Sequence, residues 1–327
     1  MARVLVAGGA GFIGSHLCDA LLNRGDEVVA VDNFVSGRAI NVKHLLGHPG
    51  FELVEADICG PLDIHGPFAA ILNFACPASP DDFERIPLQI LEVGSVGTRR
   101  LLDLADEQGA RFLMASTSEV YGDPAVHPQP ESYWGNVDPI GPRSCYDEAK
   151  RFSEALTVAF RRTRGVDTRI ARIFNTYGPR MRADDGRVVT NFCVQALRGE
   201  PITIYGDGLQ TRSFCYIDDE VRGLLALLDG AIPGPCNIGS PFEFTIGELA
   251  ATVVELAGST SAIVRMPLPP GRTGDPAQRK PDLSLARAAL RFEPRIQLRD
   301  GLKRMLRHFA AELSIADANV NEGGAAA

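Results

Sequence analysis

The sequence contains no apolar run long enough to span a membrane. It has no excess of positive charge: the net charge is −8, which excludes a broad basic surface for nucleic acid. An anionic ligand must therefore be met by a few local cations. Its seven cysteines are scattered, odd in number and free of C-x-x-C spacing, which speaks against a disulfide framework and against a zinc site. There is no internal repeat. No leader precedes the first apolar run at 3–7, so a cytoplasmic location is expected. No metal is expected.

What is present is ordinary globular composition over 327 residues, enough for one large or two coupled domains. Short apolar runs at 4–7, 28–31, 51–54, 70–74, 112–115 and 168–173 read as buried parallel strands. Between them, 15–24, 89–107 and 146–164 have helical spacing. This alternation predicts an α/β fold, a Rossmann-type doubly wound parallel sheet with a smaller C-terminal substrate-binding region. Beyond residue 180 the pattern shortens, with helices at 187–198 and 246–256 and strands at 202–205, 213–216 and 236–238. The expected division is a cofactor domain at 1–180, revisited near 213–230, a substrate region at 181–313 and a disordered tail at 314–327. The Pro/Gly-rich stretch 266–281 reads as a loop.

Gly8-Gly9-Ala10-Gly11-Phe12-Ile13-Gly14 lies between the first strand and the first helix. Glycines there permit a tight turn and let a pyrophosphate approach the backbone at the helix N-terminus. Asp32 ends the next strand, 18 residues beyond Gly14, where a carboxylate can bond a ribose diol and repel a 2′-phosphate. NAD is therefore expected over NADP; Arg38 is read as a solvated loop side chain. Asp57 is either an adenine partner or a plain turn residue. The expected cofactor contacts are Gly8, Gly11, Phe12, Ile13, Gly14, Asp32, Asn33, Phe34, Ser36, Gly37, Asp57, Ile58 and Ala75, with Tyr146 and Lys150.

Tyr146-Asp147-Glu148-Ala149-Lys150 sets a phenol and an ammonium on one helical face. Lys150 and a cationic nicotinamide would lower the Tyr146 pKa, so that the phenol can take a hydroxyl proton. Thr117, at the end of a strand, would hold the same hydroxyl from the other side.

With Gly8–Gly14, Thr117, Tyr146 and Lys150, the chain resembles the extended short-chain dehydrogenases/reductases. Longer strings narrow this. Residues 73–80 (Asn-Phe-Ala-Cys-Pro-Ala-Ser-Pro), 116–124, 133–136, 141–146, 171–180, 205–214 and 275–282 resemble the UDP-glucuronate decarboxylases. The resemblance runs to about residue 310. It implies an NAD-dependent enzyme with retained, recycled cofactor, a UDP-sugar substrate and a homodimer built on the helices at 89–107 and 146–164. It implies oxidation at C4, loss of CO2 from the resulting β-keto acid, protonation at C5 and re-reduction at C4.

After Thr117 this chain has Ser118-Glu119 where the related dehydratases carry Asp-Glu, which removes the acid that dehydration needs. The resemblance places Glu119 and Arg279 beside C5 and its carboxylate, with Ser118 assisting. A strand-end ion pair for Glu119 and a surface-loop position for Arg279 are the plainer alternatives. It places Asn175, Arg187, Tyr205, Gln210 and Arg212 on the diphosphate and uridine, with Arg272 as a second phosphate ligand. Tyr205 is equally at home in a core. Ser95, Ala149 and a longer loop at 268–274 depart from the family pattern. A 4-epimerase is the nearest rival reading, and a non-catalytic NAD sensor a more distant one.

Overall fold

Apolar runs without polar alternation suit strands that are covered on both faces. In the computed structural model, which describes residues 1–268 and 275–315, six of them form β1 (Arg3–Ala7), β2 (Glu27–Asp32), β3 (Phe51–Glu55), β4 (Ala70–Asn73), β5 (Arg111–Thr117) and β6 (Thr168–Ile173). They pair in parallel in the order β6-β5-β4-β1-β2-β3, and Cys236–Ile238 adds a seventh strand beside β6. Side chains alternate between two cores. Val4 and Val6 face one, with Leu17, Leu21 and Ala30. Leu5 and Ala7 face the other, with Val31, Ile71 and Phe112. Each fully buried residue of this size contributes about 1.5–3 kcal/mol, which is why both faces of β1 are apolar.

The helices are α1 (Phe12–Asn23), α2 (Pro80–Arg85), α3 (Pro87–Glu92), α4 (Thr98–Gln108) and α5 (Ser144–Arg164). The run expected as one helix at 89–107 is interrupted by a π-turn at Val93–Gly97. Its wide turn frees carbonyls, and side chains take them up: Thr98 Oγ1 donates to Val93 O and Ser153 Oγ donates to Gly94 O at 2.6 Å. A Cβ on Gly94 would lie 2.6 Å from that of Ala149, so the departure at Ala149 is accommodated because Gly94 faces it. Ser95 donates back to Leu91 O within the same turn.

The later chain builds small sheets at one edge of the cleft. Ile202–Tyr205 pairs with Ile263–Met266. Thr211–Ser213 lies between Glu243–Thr245 and Gln278–Arg279, with Arg212 in register opposite Arg279. The stretch read as a loop at 266–281 thus carries strand residues at both ends, because Gln278 and Arg279 complete a ladder that only tertiary pairing creates. The strand read at 213–216 is two, Thr211–Ser213 and Cys215–Tyr216. An additional helix, Leu298–Glu312, packs its buried Leu302, Met305, Leu306 and Phe309 on Val188–Arg198. Arg272, most of the loop at 268–274 and the tail beyond residue 315 lie outside the described residues.

Candidate active site

Strand order reverses beside β1, between β2 and β4, and a crevice opens there at the carboxyl ends of the strands. The cleft encloses about 440 Å³. Its floor is the glycine turn. Gly8 has φ +78°, and a Cβ on Gly14 would sit 2.0 Å from Gly8 O, so no side chain fits there. α1 follows Gly11 with no side-chain cap and no acidic residue in its first turn, leaving its first N–H groups for an anion. Asp32 is buried at the end of β2 and accepts from the amides of Ala10 (2.9 Å) and Phe34 (2.8 Å). Burial pushes its carboxyl up, while bonds from the amides of Phe34, Ala10 and Gly11 act against this. A Cβ at Gly37 would touch Asp32, so glycine keeps the carboxylate approachable. These features fit a dinucleotide: a cradle for the pyrophosphate and an acid for a ribose.

The expected cofactor residues other than Tyr146 and Lys150 line this half of the cleft, except Phe34. Its ring packs on the core, and its backbone serves Asp32. Asp57 accepts from Asn33 Nδ2 (3.1 Å) and Cys59 N (2.8 Å), so it pins its own turn. Asp32→Ala is expected to weaken NAD binding by about tenfold to a hundredfold, the value of a charge-assisted hydrogen bond, and to narrow the preference over NADP. Titration of both dinucleotides checks it; equal affinities in the unaltered protein would remove Asp32 from this role.

In the other half, Thr117 ends β5 and Tyr146 and Lys150 project from α5. Tyr146 is buried and stacks on Phe83, ring centroids 4.9 Å apart. Burial pushes its phenol upward, Cys76 adds to this, and a hydrogen bond with Thr117 acts the other way. Burial thus outweighs the expected lowering. Lys150 donates to Ala115 O at 2.8 Å, and its nitrogen lies 5.7 Å from the Tyr146 ring centroid.

Glu119 follows in a short turn at Ser118–Tyr121, with Ser118 buried beside it. Arg279 bonds Glu119 through both terminal nitrogens at 2.7 Å, and Arg143 meets it at 2.8 Å. Burial would raise the Glu119 carboxyl, but Arg143 and Arg279 outweigh it and hold it well below the carboxylate range. Arg279 is thus a buried side chain, not a surface-loop one. Its backbone is fixed by Gln129, which accepts from Lys280 N at 2.8 Å.

The expected UDP ligands Asn175, Arg187, Tyr205, Gln210 and Arg212 all face the cleft. Arg212 is buried and bonds Asp275 at 2.7 Å; Asp275 also stands 3.5 Å from Arg143. Arg187 donates to Ala78 O, and Gln210 to Tyr205 O. Sequence reasoning missed Arg143, Asp147, Phe83 and Asp275. Arg143 lies in the string 141–146 and Asp147 in the run Tyr146–Lys150, so both were legible only as parts of signatures.

Residues 4–239 match the model of the NAD dependent epimerase/dehydratase family. UDP-glucuronic acid decarboxylase 3 of Arabidopsis thaliana is 52% identical over 314 residues, covering 96% of this chain and 90% of that protein. The chain belongs to the NAD dependent epimerase/dehydratase family, among its UDP-glucuronic acid decarboxylases. UDP-glucuronic acid decarboxylase 1 of Danio rerio is 49% identical over 311 residues, 95% of this chain and 73% of that protein. A solved UDP-glucuronic acid 4-epimerase from Bacillus cereus, in complex with UDP-glucuronic acid and NAD, superposes with a TM-score of 0.85. It is 28% identical, and the match covers 95% of this chain and 99% of that one.

Proposed function

We propose that this enzyme converts UDP-glucuronate to UDP-xylose with loss of CO2. The observation that carries the reading is the Glu119–Arg143–Arg279 cluster, set in one cleft with Thr117, Tyr146 and Lys150. NAD, when bound, supplies oxidation and re-reduction at sugar C4. Tyr146 takes the proton of the C4 hydroxyl and later returns it, and Thr117 holds that oxygen. Lys150 steadies the phenolate that accepts this proton. Oxidation makes the C5 carboxylate a β-keto acid, and Arg279 with Arg143 orients it so that the breaking C–C bond aligns with the ketone. Arg212 and Arg187 supply charge for the diphosphate; Asn175, Gln210 and Tyr205 complete the nucleotide side. Asp275, already on Arg212, marks where an anion is favoured.

The test is turnover of UDP-glucuronate with added NAD, following CO2 and the mass of the nucleotide sugar. A UDP-pentose with matching CO2 is expected. A UDP-hexuronate with no CO2 would make the enzyme a 4-epimerase.

We read the assembly as a homodimer. Leu88, Leu91, Val96 and Phe152 are exposed on the adjoining α3–π–α4 run and α5, an apolar face that a second copy would cover. Sedimentation of Phe152→Glu, expected to shift toward monomer, checks this. Seven unpaired thiols fit a reducing compartment such as the cytoplasm. Among the described residues, no helix is long and apolar enough to cross a membrane.

A further inference from the structure

We propose that Glu312, at the end of the helix Leu298–Glu312, helps to set the choice of dinucleotide by holding Arg38 away from the place that a 2′-phosphate would take. The inference rests on the assignment of Asp32 to the adenosine ribose and is independent of the sugar chemistry. NADP differs from NAD by a phosphate on that ribose, a group with nearly two negative charges at neutral pH. A carboxylate on the diol repels it, and an arginine nearby accommodates it. The end of β2 and the loop after it carry both residue types, Asp32 and Arg38. What decides between them is where the guanidinium is kept.

Arg38 is rooted beside the ribose acid. A Cβ on Gly37 would stand 2.5 Å from Asp32 Oδ1, and the Arg38 Cα lies about 3.8 Å beyond that of Gly37. Arg38 N donates to Ala10 O at 3.0 Å, and Ala10 N donates to Asp32 Oδ2 at 2.9 Å, so one residue of the glycine turn links the two. An arginine rooted there can turn to an anion on the ribose, yet here it turns elsewhere. Among the described residues, Ser36, Gly37 and Asn41 line the cleft and Arg38 does not. Its Nη2 donates to Glu312 Oε1 at 2.6 Å, across 274 positions of chain. Arg38 is therefore a paired side chain, not the free loop arginine that its sequence context suggests.

Glu312 keeps its charge for this contact. Its Oε2 stands 3.4 Å from His308 Nε2, but that nitrogen accepts the Arg180 N–H at 3.1 Å. It carries no proton of its own there and brings no positive charge to compete with the guanidinium. The helix is fixed by its buried Leu302, Met305, Leu306 and Phe309, so packing presents Glu312 to the loop. Neutralising Glu312 would release Arg38 to Asp32 or to a 2′-phosphate. The first contact offsets the repelling carboxylate, and the second adds a charge-assisted bond that only NADP can make. Glu312 does not touch the dinucleotide; it is a positioning residue that acts through Arg38.

Displacement of labelled NAD from the holoenzyme, by unlabelled NAD and by NADP, measures both affinities. With Glu312→Gln, NADP is expected to compete about fivefold better than with the unaltered enzyme, the effect of one accessible charge pair, while displacement by NAD changes less than about twofold. Arg38→Ala alone should move the NADP value by less than about twofold, because Arg38 is already withheld. In the double variant the gain should vanish. Damage to the fold weakens binding, so a gain that needs Arg38 is a result that damage does not imitate. Unchanged NADP competition in Glu312→Gln overturns the proposal, and so does a gain that persists without Arg38. Should Glu312→Gln not fold, Glu312→Ala must show the same Arg38-dependent gain, or the proposal falls. Equal displacement by NAD and NADP in the unaltered enzyme overturns the Asp32 assignment together with this one. A clear NAD preference with an unchanged Glu312→Gln value overturns this one alone.

Discussion

Tyr146→Phe is expected to lower turnover of UDP-glucuronate by about a thousandfold, within the range for loss of a positioned acid–base group. The C4 hydroxyl would then have no proton acceptor as that carbon is oxidised. The fold should survive. The ring of Phe keeps the stack on Phe83, and the missing hydroxyl has Thr117 as its neighbour, itself held at the end of β5. Melting temperature and NAD affinity should therefore stay close to those of the unaltered enzyme. Burial pushes the phenol upward. The protein has made Tyr146 a reluctant acid in isolation, so its activation depends on Lys150 and on the charge that accompanies catalysis. A Phe variant with the original kcat would show that another group takes the proton.

The cofactor half was legible in the sequence because its physics is local. Gly8 and Gly14 are demanded by a backbone turn, and Asp32 by the end of the next strand, so spacing alone locates them. The strands of the main sheet were legible because both faces are buried and the apolar runs are continuous. The charge cluster was only partly legible. Glu119 and Arg279 are 160 positions apart, and their fork is made by Gln129, which anchors residue 280, and by the ladder of Arg279 with Arg212. No periodicity reports such a pairing. Arg143 and Asp147 lay within a noticed motif, but burial gives them their meaning: the same residues on an exposed helix start would be a solvated pair. The π-turn at Val93–Gly97 was hidden for a related reason. Ser153 and Thr98 satisfy its carbonyls, and Ser153 comes from another helix.

Arg279→Gln should damage both stability and chemistry. Arg279 and Glu119 form a two-bond ion pair with side chains only 5% and 12% exposed. Removing one partner of such a pair costs about 3–5 kcal/mol, because the remaining charge stays buried. Arg143 still pairs with Glu119, which places the expected destabilisation near the lower end, about 3 kcal/mol. Turnover should fall by about a hundredfold, the effect of removing one charge-assisted hydrogen bond from the place where the reacting carboxylate is held. The pH dependence has a definite sign. The Glu119 carboxyl is held below its ordinary range, so its ionisation contributes stability above that range. That contribution disappears as pH falls toward the depressed value. Without Arg279 the depression shrinks, and acid unfolding of the variant should begin at a higher pH. The double change Glu119→Gln, Arg279→Gln removes both charges. Its destabilisation should be smaller than the sum of the two single effects, since no uncompensated ion remains. Its turnover should stay low, because neither the cation nor the carboxylate is restored. Denaturant melts of the three variants across pH, with CO2 release measured on each, separate the two effects. Original stability without CO2 release would make the pair catalytic without being structural. Full CO2 release by Arg279→Gln would remove Arg279 from the reaction and leave Arg143 to orient the carboxylate.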